Sequence, residues 1–319
     1  MVLSPRLGAG TQATLELTTT QRTVRDRVLE RLNNGTYQLA PMPCFCGDTG
    51  GLVVAERDRY GLPVRTVLCS NCGLMRTDPY MTPETTRRFY EEDYRDLYSQ
   101  QGPEHLFEAQ QNEGRLLGER LLKIPGIETV YDIGCGAGGF LMPFAQSGCD
   151  VAGCDYGEAY LELGRAHGLD LIQGGVEALL EHRGGQQADL VTLLQVAEHF
   201  VDLRGELSAV IEAIKPGGLL LLTVPGLMNV HQGAYRGDLL RYLQNAHTFH
   251  FCAATLTWVL NTLGLEVHSA DEFVLLLAQR PSAPESDQPL IPPDPNTVRQ
   301  VVRYIGQLER TQLQAQVSA

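Results

Sequence analysis

Residues 130–140 read VYDIGCGAGGF, and the rest of the chain is read outward from them. An apolar run ends at Ile133, and glycines follow at 134, 136, 138 and 139. Glycine takes up left-handed backbone conformations without steric cost. The spacing therefore predicts a strand that turns tightly into a helix, with backbone N–H groups facing a ligand above the turn. Two templates fit at once: Gly134, Gly136 and Gly139 spell G-x-G-x-x-G, and Gly134, Gly136 and Gly138 spell G-x-G-x-G.

The first template belongs to dinucleotide sites and the second to S-adenosylmethionine (SAM) sites. Asp132 separates them. A pyrophosphate brings two negative charges to this loop, and a carboxylate aimed there would repel it. SAM brings an ammonium and a sulfonium, which a carboxylate attracts. Asp155 ends the next strand-like run, DVAGCD, about 20 residues past the glycines, where a carboxylate accepts hydrogen bonds from ribose hydroxyls. Tyr156 follows it, placed to cover an adenine.

Strand-like and helix-like segments alternate from there. Strands are expected at 129–133, 150–154, 170–172, 188–194, 218–224, 265–268 and 273–279. Five helical stretches separate the first six, which predicts an α/β fold with a doubly wound, seven-stranded, Rossmann-like sheet. The apolar run QADLVTLLQVAEHF delivers Gln195, Glu198 and His199 at a strand's carboxyl end, where such sheets bind ligands. AIKPGGLLLLTVPG reads as a helix end, a Pro-Gly-Gly turn and a buried strand, and GLEVHSADEFVLLLAQ as a closing pair.

This ordered set, over residues 105 to 280, resembles the class I SAM-dependent methyltransferases. The resemblance places Asp132, Gly134 and Gly136 around the methionine part of SAM, Gln195 beside it, and Asp155 on the ribose. In GGVEAL, Gly175 stands where the family often has an acid at the adenine, with Glu177 nearby as a substitute.

Upstream, PMPCFCGD supplies Cys44 and Cys46, and VLCSNCGL supplies Cys69 and Cys72. Two cysteine pairs, each followed by Gly, predict a small zinc ribbon with four thiolates closing a structural Zn²⁺ site. The first pair, C-x-C-G, is one residue short of the usual knuckle. The β-prone runs GLVVAE and LPVRTVLC flank a turn at RDRYG. Cys135, Cys149, Cys154 and Cys252 lack paired spacing and read as core or loop residues. A ribbon followed by CGLMRTDPYMTPETTRRFYEEDYRDLY and a class I domain resembles bacterial methyltransferases of sugar, cell-surface and secondary-metabolite pathways. The sugar C-methyltransferases of that group carry a further C-terminal domain. Here only a Pro-rich segment and one helix follow the sheet.

The expected organisation is an N-terminal helical segment at 1–40, the zinc-ribbon module at 41–80, the methyltransferase domain at 81–280, and a Pro-rich linker with a C-terminal helix at 281–319. One helix is expected within TQRTVRDRVLERLNNG, ending at Asn34-Gly35, and one from Pro83. A long one is expected from about residue 103, with Leu116, Leu117, Leu121 and Leu122 as its apolar face.

The 319 residues carry a net charge of -13, which opposes broad nucleic-acid binding. No apolar run is long enough to span a bilayer, and MVLSPRLGAG lacks a secretory core, so a cytoplasmic location is expected. Reduced thiols there favour metal ligation or burial for the eight cysteines.

For a hydroxyl or carbon acceptor, methyl transfer needs alignment and a base. The candidates are Glu198, His199, His247 and His250, with His199 and His250 first. In relatives a stretch ending in His-Phe, like NAHTFHFC here, lies over the acceptor pocket. FYEEDY and GLMNVHQGAYRGDLLRYLQ are expected to wall that pocket. The expected function is methyl transfer from SAM to a small-molecule acceptor, a sugar or other hydroxylated metabolite, with no nucleic-acid or membrane partner. The alternatives are an RNA base methyltransferase with a ribbon that positions RNA, a non-catalytic SAM-binding protein, and an NAD enzyme.

Overall fold

The computed structural model describes residues 2–98, 102–283 and 293–318. In chain order its strands are β1 (Leu39–Ala40), β2 (Leu52–Ala55), β3 (Thr66–Leu68), β4 (Met75–Thr77), β5 (Tyr80–Met81), β6 (Thr129–Ile133), β7 (Asp150–Asp155), β8 (Asp170–Gln173), β9 (Ala188–Leu194), β10 (Ile214–Thr223), β11 (Phe249–His250), β12 (Glu266–Ala270) and β13 (Leu275–Gln279).

The main sheet has seven strands in the order β12-β13-β10-β9-β6-β7-β8. Strands β10, β9, β6, β7 and β8 run parallel, and β13 is antiparallel to both its neighbours. Between β6 and β9 the winding reverses, which opens a crevice at their carboxyl ends. β6 is buried along its whole length and β9 along most of it. Helices cover both faces, so these strands are apolar runs rather than alternating ones. The helices between successive strands are the short pair Gly139–Leu141 and Met142–Gln146, then Glu158–Ala166, Val176–His182, Leu203–Glu212 and Ala253–Thr262. The expected α/β sheet is therefore present with all seven strands.

Three local expectations are corrected. The Pro-Gly-Gly turn lies inside the fifth strand rather than before it, with Gly217 at φ 82°. β10 starts at Ile214, and the extra residues are absorbed as a register shift between Ile214 and Leu219. The long helix spans Pro103–Leu121, but Leu116 is 72% exposed. Its buried residues are Phe107, Gly114, Gly118 and Leu121, because two glycines let the helix backbone sit directly on the loop after β6. Finally, the ribbon is not a closed module. Its sheet runs β11-β4-β3-β2, and β11 comes from the methyltransferase region.

Gly114 gives a test of sign. In an ordinary helix, Gly→Ala gains about 1 kcal/mol. Here a Cβ on Gly114 would lie 2.4 Å from the carbonyl oxygen of Phe140, a backbone atom that cannot swing away. Gly114→Ala is expected to destabilise by about 1–3 kcal/mol instead, read by chemical denaturation.

The first helix, Thr19–Asn33, starts on a capping box of Thr18 and Gln21. The helix Pro83–Phe89 has Thr82 as its cap and Pro at its first position. It runs straight into a π-helical turn, Tyr90–Tyr94. The C-terminal helix, Pro295–Ser318, lays Val301, Ile305 and Leu308 on Leu7, Val54, Leu68 and Met75, so it packs on the ribbon of its own chain. Residues 284–292 of the Pro-rich linker lie outside the described residues. Among the described residues no helix is long and apolar enough to cross a membrane.

Candidate functional site

The loop after β6 is held from below. The N–H groups of Gly134 and Cys135 both donate to the Cys154 carbonyl, at 2.8 and 2.9 Å. Gly134, Gly136 and Gly138 have φ of 73°, 55° and 76°, the left-handed region that favours glycine. A Cβ on Gly134 would also lie 2.4 Å from Val196 Cγ2. Asp155, at the end of β7, accepts from Gly136 N at 3.0 Å and from Gly157 N at 2.7 Å, so it organises the loop as well as facing the crevice.

Asp132 is buried and accepts from Thr192 Oγ1 at 2.7 Å. Burial pushes its carboxyl up to about 7, and the nearby Glu113 and Asp155 push the same way. The field at the loop is thus acidic. It suits a cationic sulfonium or ammonium and opposes a pyrophosphate. Arg95, stacked over Tyr160 at 4.0 Å, sits beyond Asp155 beside Gly157. Gln195 is exposed at the end of β9 with φ 59°, a strained conformation for a non-glycine residue, and its Nε2 donates to Thr223 Oγ1. Tyr156 is 79% exposed, with its hydroxyl beside Gly175. Glu177 is exposed nearby.

Beyond β9 the chain bends into a 3₁₀ turn, Ala197–His199. There Glu198 meets His199 and His247, with ligand-type atoms all within 4.8 Å of one another. Glu198 Oε1 lies 3.9 Å from His199 Nε2 and 4.0 Å from His247 Nε2. His199 Nδ1 is 3.0 Å from the Ala246 carbonyl, which can only accept. Nδ1 therefore carries the proton and Nε2 presents a lone pair toward Glu198. Burial pushes Glu198 up to about 8 and pulls His199 down to about 4. His247 is pulled well below its ordinary value by burial, helped by His199 and His250. Glu198 Oε2 and His247 Nδ1 are buried without a hydrogen-bond partner. Such a carboxylate–imidazole set can share a proton, and it has the donors for a divalent cation.

His250 is also buried. It is pulled down to about 3, and neither ring nitrogen has a partner. Its ring packs against those of Tyr242 and His247, one layer behind His199. The geometry therefore groups Glu198 and His247 with His199 and sets His250 further back.

The π-helical turn supplies a tyrosine wall. Tyr90, Tyr94 and Tyr98 stack with centroid separations of 4.5 and 4.9 Å. Tyr90 Oη is 2.9 Å from His199 Nδ1. Asp93, on the opposite side, is buried against Arg27, Arg31 and Tyr37, which ties the turn to the first helix. In the sequence the stack is Y-x₃-Y-x₃-Y, the spacing of one face of a helix. Tyr90 and Tyr94 of FYEEDY thus pack edge-on against the His199 ring.

Cys44, Cys46, Cys69 and Cys72 converge, with all four sulfurs within 4.8 Å. Two of the pairs are 3.4 Å (Cys44–Cys72) and 3.6 Å (Cys46–Cys69) apart. Tetrahedral zinc with bonds of about 2.3 Å puts sulfurs about 3.8 Å apart, so the set fits that ion. The other four cysteines lie in the sheet domain as free thiols.

Among known proteins, a model described as "Methyltransferase domain" matches residues 87–270. The chain belongs to this methyltransferase family. A ubiquinone biosynthesis O-methyltransferase of Bordetella avium is 29% identical over 178 residues, 54% of this chain and 63% of that protein. One from Pseudomonas paraeruginosa is 38% identical over 102 residues, 30% of this chain and 44% of that protein. The chain thus spans roughly half the length of these curated relatives. Among solved structures, a magnesium protoporphyrin IX methyltransferase from Synechocystis PCC 6803 with bound SAH is 16% identical, covering 62% of this chain and all (100%) of that one, with a TM-score of 0.44. An amino pentose methyltransferase from Micromonospora echinaspora is 19% identical, covering 60% and 96%, with a TM-score of 0.39.

Proposed function

We propose that this protein transfers a methyl group from SAM to a hydroxyl of a small-molecule acceptor, a sugar or another hydroxylated metabolite. The observation that carries the reading is the Glu198–His199–His247 cluster at the same end of β9 as the acidic glycine loop. Curated O-methyltransferases among its relatives are in line with a small acceptor.

The cofactor supplies a methyl group already activated on a sulfonium. Gly134, Gly136 and Asp132 would surround its methionine part with Gln195 beside them, Asp155 its ribose, and Tyr156 its adenine. Alignment of the acceptor then falls to the tyrosine wall and to His199. The acceptor hydroxyl enters beside the gap between His199 Nε2 and Glu198, and His199 Nε2, on the least buried side chain of the cluster, takes its proton. Glu198 is the stronger proton acceptor of the pair, since its buried carboxyl titrates near 8 and the imidazole near 4. The proton therefore passes from His199 to an ionised Glu198, and the imidazole is ready again. Cys44, Cys46, Cys69 and Cys72 would hold a structural Zn²⁺ that closes the ribbon and takes no part in the transfer.

Calorimetry with SAM, its demethylated product and NAD tests the cofactor. Saturable binding of the first two with none of NAD is expected. Binding of NAD alone would contradict the reading.

A further inference from the structure

The acceptor-side segment 243–250 hangs from the ribbon, residue by residue. Arg59 N donates to the Leu243 carbonyl at 3.0 Å. Asn245 N donates to Asp58 Oδ2 at 3.1 Å, and Tyr80 Oη to the Ala246 carbonyl at 3.2 Å. Thr77 makes two bonds, Oγ1 to the His247 carbonyl and N to the Thr248 carbonyl, both 2.8 Å. Phe249 and His250 then pair with Arg76 and Met75 as β11 against β4.

By contrast, the sheet domain reaches this segment through the very turn that carries the cluster. Thr248 N donates to the Glu198 carbonyl at 2.8 Å, and His199 Nδ1 to the Ala246 carbonyl. The His199 tautomer therefore depends on a carbonyl that Tyr80 also holds.

The ribbon edge is in turn built on the cysteines. β3 ends at Leu68, immediately before Cys69, and β4 begins three residues after Cys72. The Cys69 N–H donates to the Leu74 carbonyl at 3.0 Å, which closes the knuckle. Arg76, fully buried, donates through Nε to the Met42 carbonyl at 2.7 Å and through Nη2 to the Thr49 and Gly50 carbonyls. These bonds clip β4 to the loop that carries Cys44 and Cys46. The glycine loop is held differently, by β7 and Asp155, with no ribbon residue in those contacts.

We infer that the cysteine ribbon is the positioning element of the acceptor site. With its four thiolates joined by zinc, β4 is the template on which His247, the Ala246 carbonyl and hence His199 are set. The cofactor loop assembles without it. Thr77 is the positioning residue at the centre of this contact. The inference rests on the proposed reading only for its catalytic consequence. The structural dependence stands apart from it.

The test uses the full-length protein with its metal content measured, before and after extraction of zinc with a chelator. Amide hydrogen exchange across 245–250 and calorimetric SAM affinity are read together. Extraction is expected to lower protection of those amides at least about 10-fold and to leave SAM affinity within about twofold. Thr77→Val, which keeps the shape and removes the hydroxyl, is expected to raise exchange at 247–249 and lower kcat about 5- to 10-fold at unchanged SAM affinity. Thr77→Ser is expected to restore both. Three results would overturn the inference: protection of 245–250 unchanged after zinc loss, SAM binding lost in step with that protection, or protein isolated without zinc that has those amides already protected. If wild-type protein methylates nothing, the proposed function fails, while exchange and calorimetry still decide the inference.

Discussion

Methyl transfer is expected to rise about tenfold per pH unit up to about pH 8 and then level, and Glu198→Gln to remove that rise together with about 10²- to 10⁴-fold of the rate. The sign follows from the buried carboxyl. Burial favours its protonated form, so below pH 8 Glu198 already holds the proton that it must receive, and the active fraction grows with pH. The groups facing it are His199 on its own turn and His247 from the ribbon-hung segment, with Tyr90 and Tyr94 nearby on the π-helical turn. Burial holds both imidazoles neutral and both phenols protonated across this range. None of them contributes a second limb between pH 6 and 8. Initial rates from pH 5.5 to 9.5 read the profile. A rate already flat from about pH 5 would assign the proton to His199 alone.

The second large effect is expected at Asp155. Its two oxygens hold the N–H groups of Gly136 and Gly157, and on the proposed reading they also take the ribose hydroxyls. Hydrogen bonds to a charged group are worth about 1.5–3 kcal/mol each. Asp155→Ala removes at least two in the bound state, so SAM affinity is expected to fall about 100-fold or more by calorimetry. Asp132→Asn is expected to do less. That side chain keeps its Thr192 contact as an amide and, at its raised value of about 7, is only partly ionised at neutral pH. Equal losses at the two positions would show that charge at Asp132, and not the hydrogen bonds of Asp155, dominates cofactor recognition.

Much of this architecture was legible because its signals are local. The glycine loop, the apolar run that becomes β9 and the cysteine pairs each declare themselves within a dozen residues. The four thiols do converge, in spite of the short first knuckle. What could not be read was long-range. The seven residues around His247 look like a loop before a helix, and their pairing with β4 joins positions 170 to 175 apart. A separation of 49 residues, from 198 to 247, hides the closeness of His247 to Glu198, and the His-Phe context alone puts His250 ahead of them. Leu116 was misplaced because helical periodicity counts leucines as core. Here glycines at 114 and 118 make the buried face, an approach that hydrophobicity does not register.

Methyl-labelled SAM, incubated with purified protein and cell extract separated into small-molecule, RNA and protein fractions, tests the central claim most directly. Label is expected in the small-molecule fraction, on a hydroxyl oxygen, and to disappear with Glu198→Gln. Label in RNA, or label that persists undiminished in the Glu198 variant, would contradict the account.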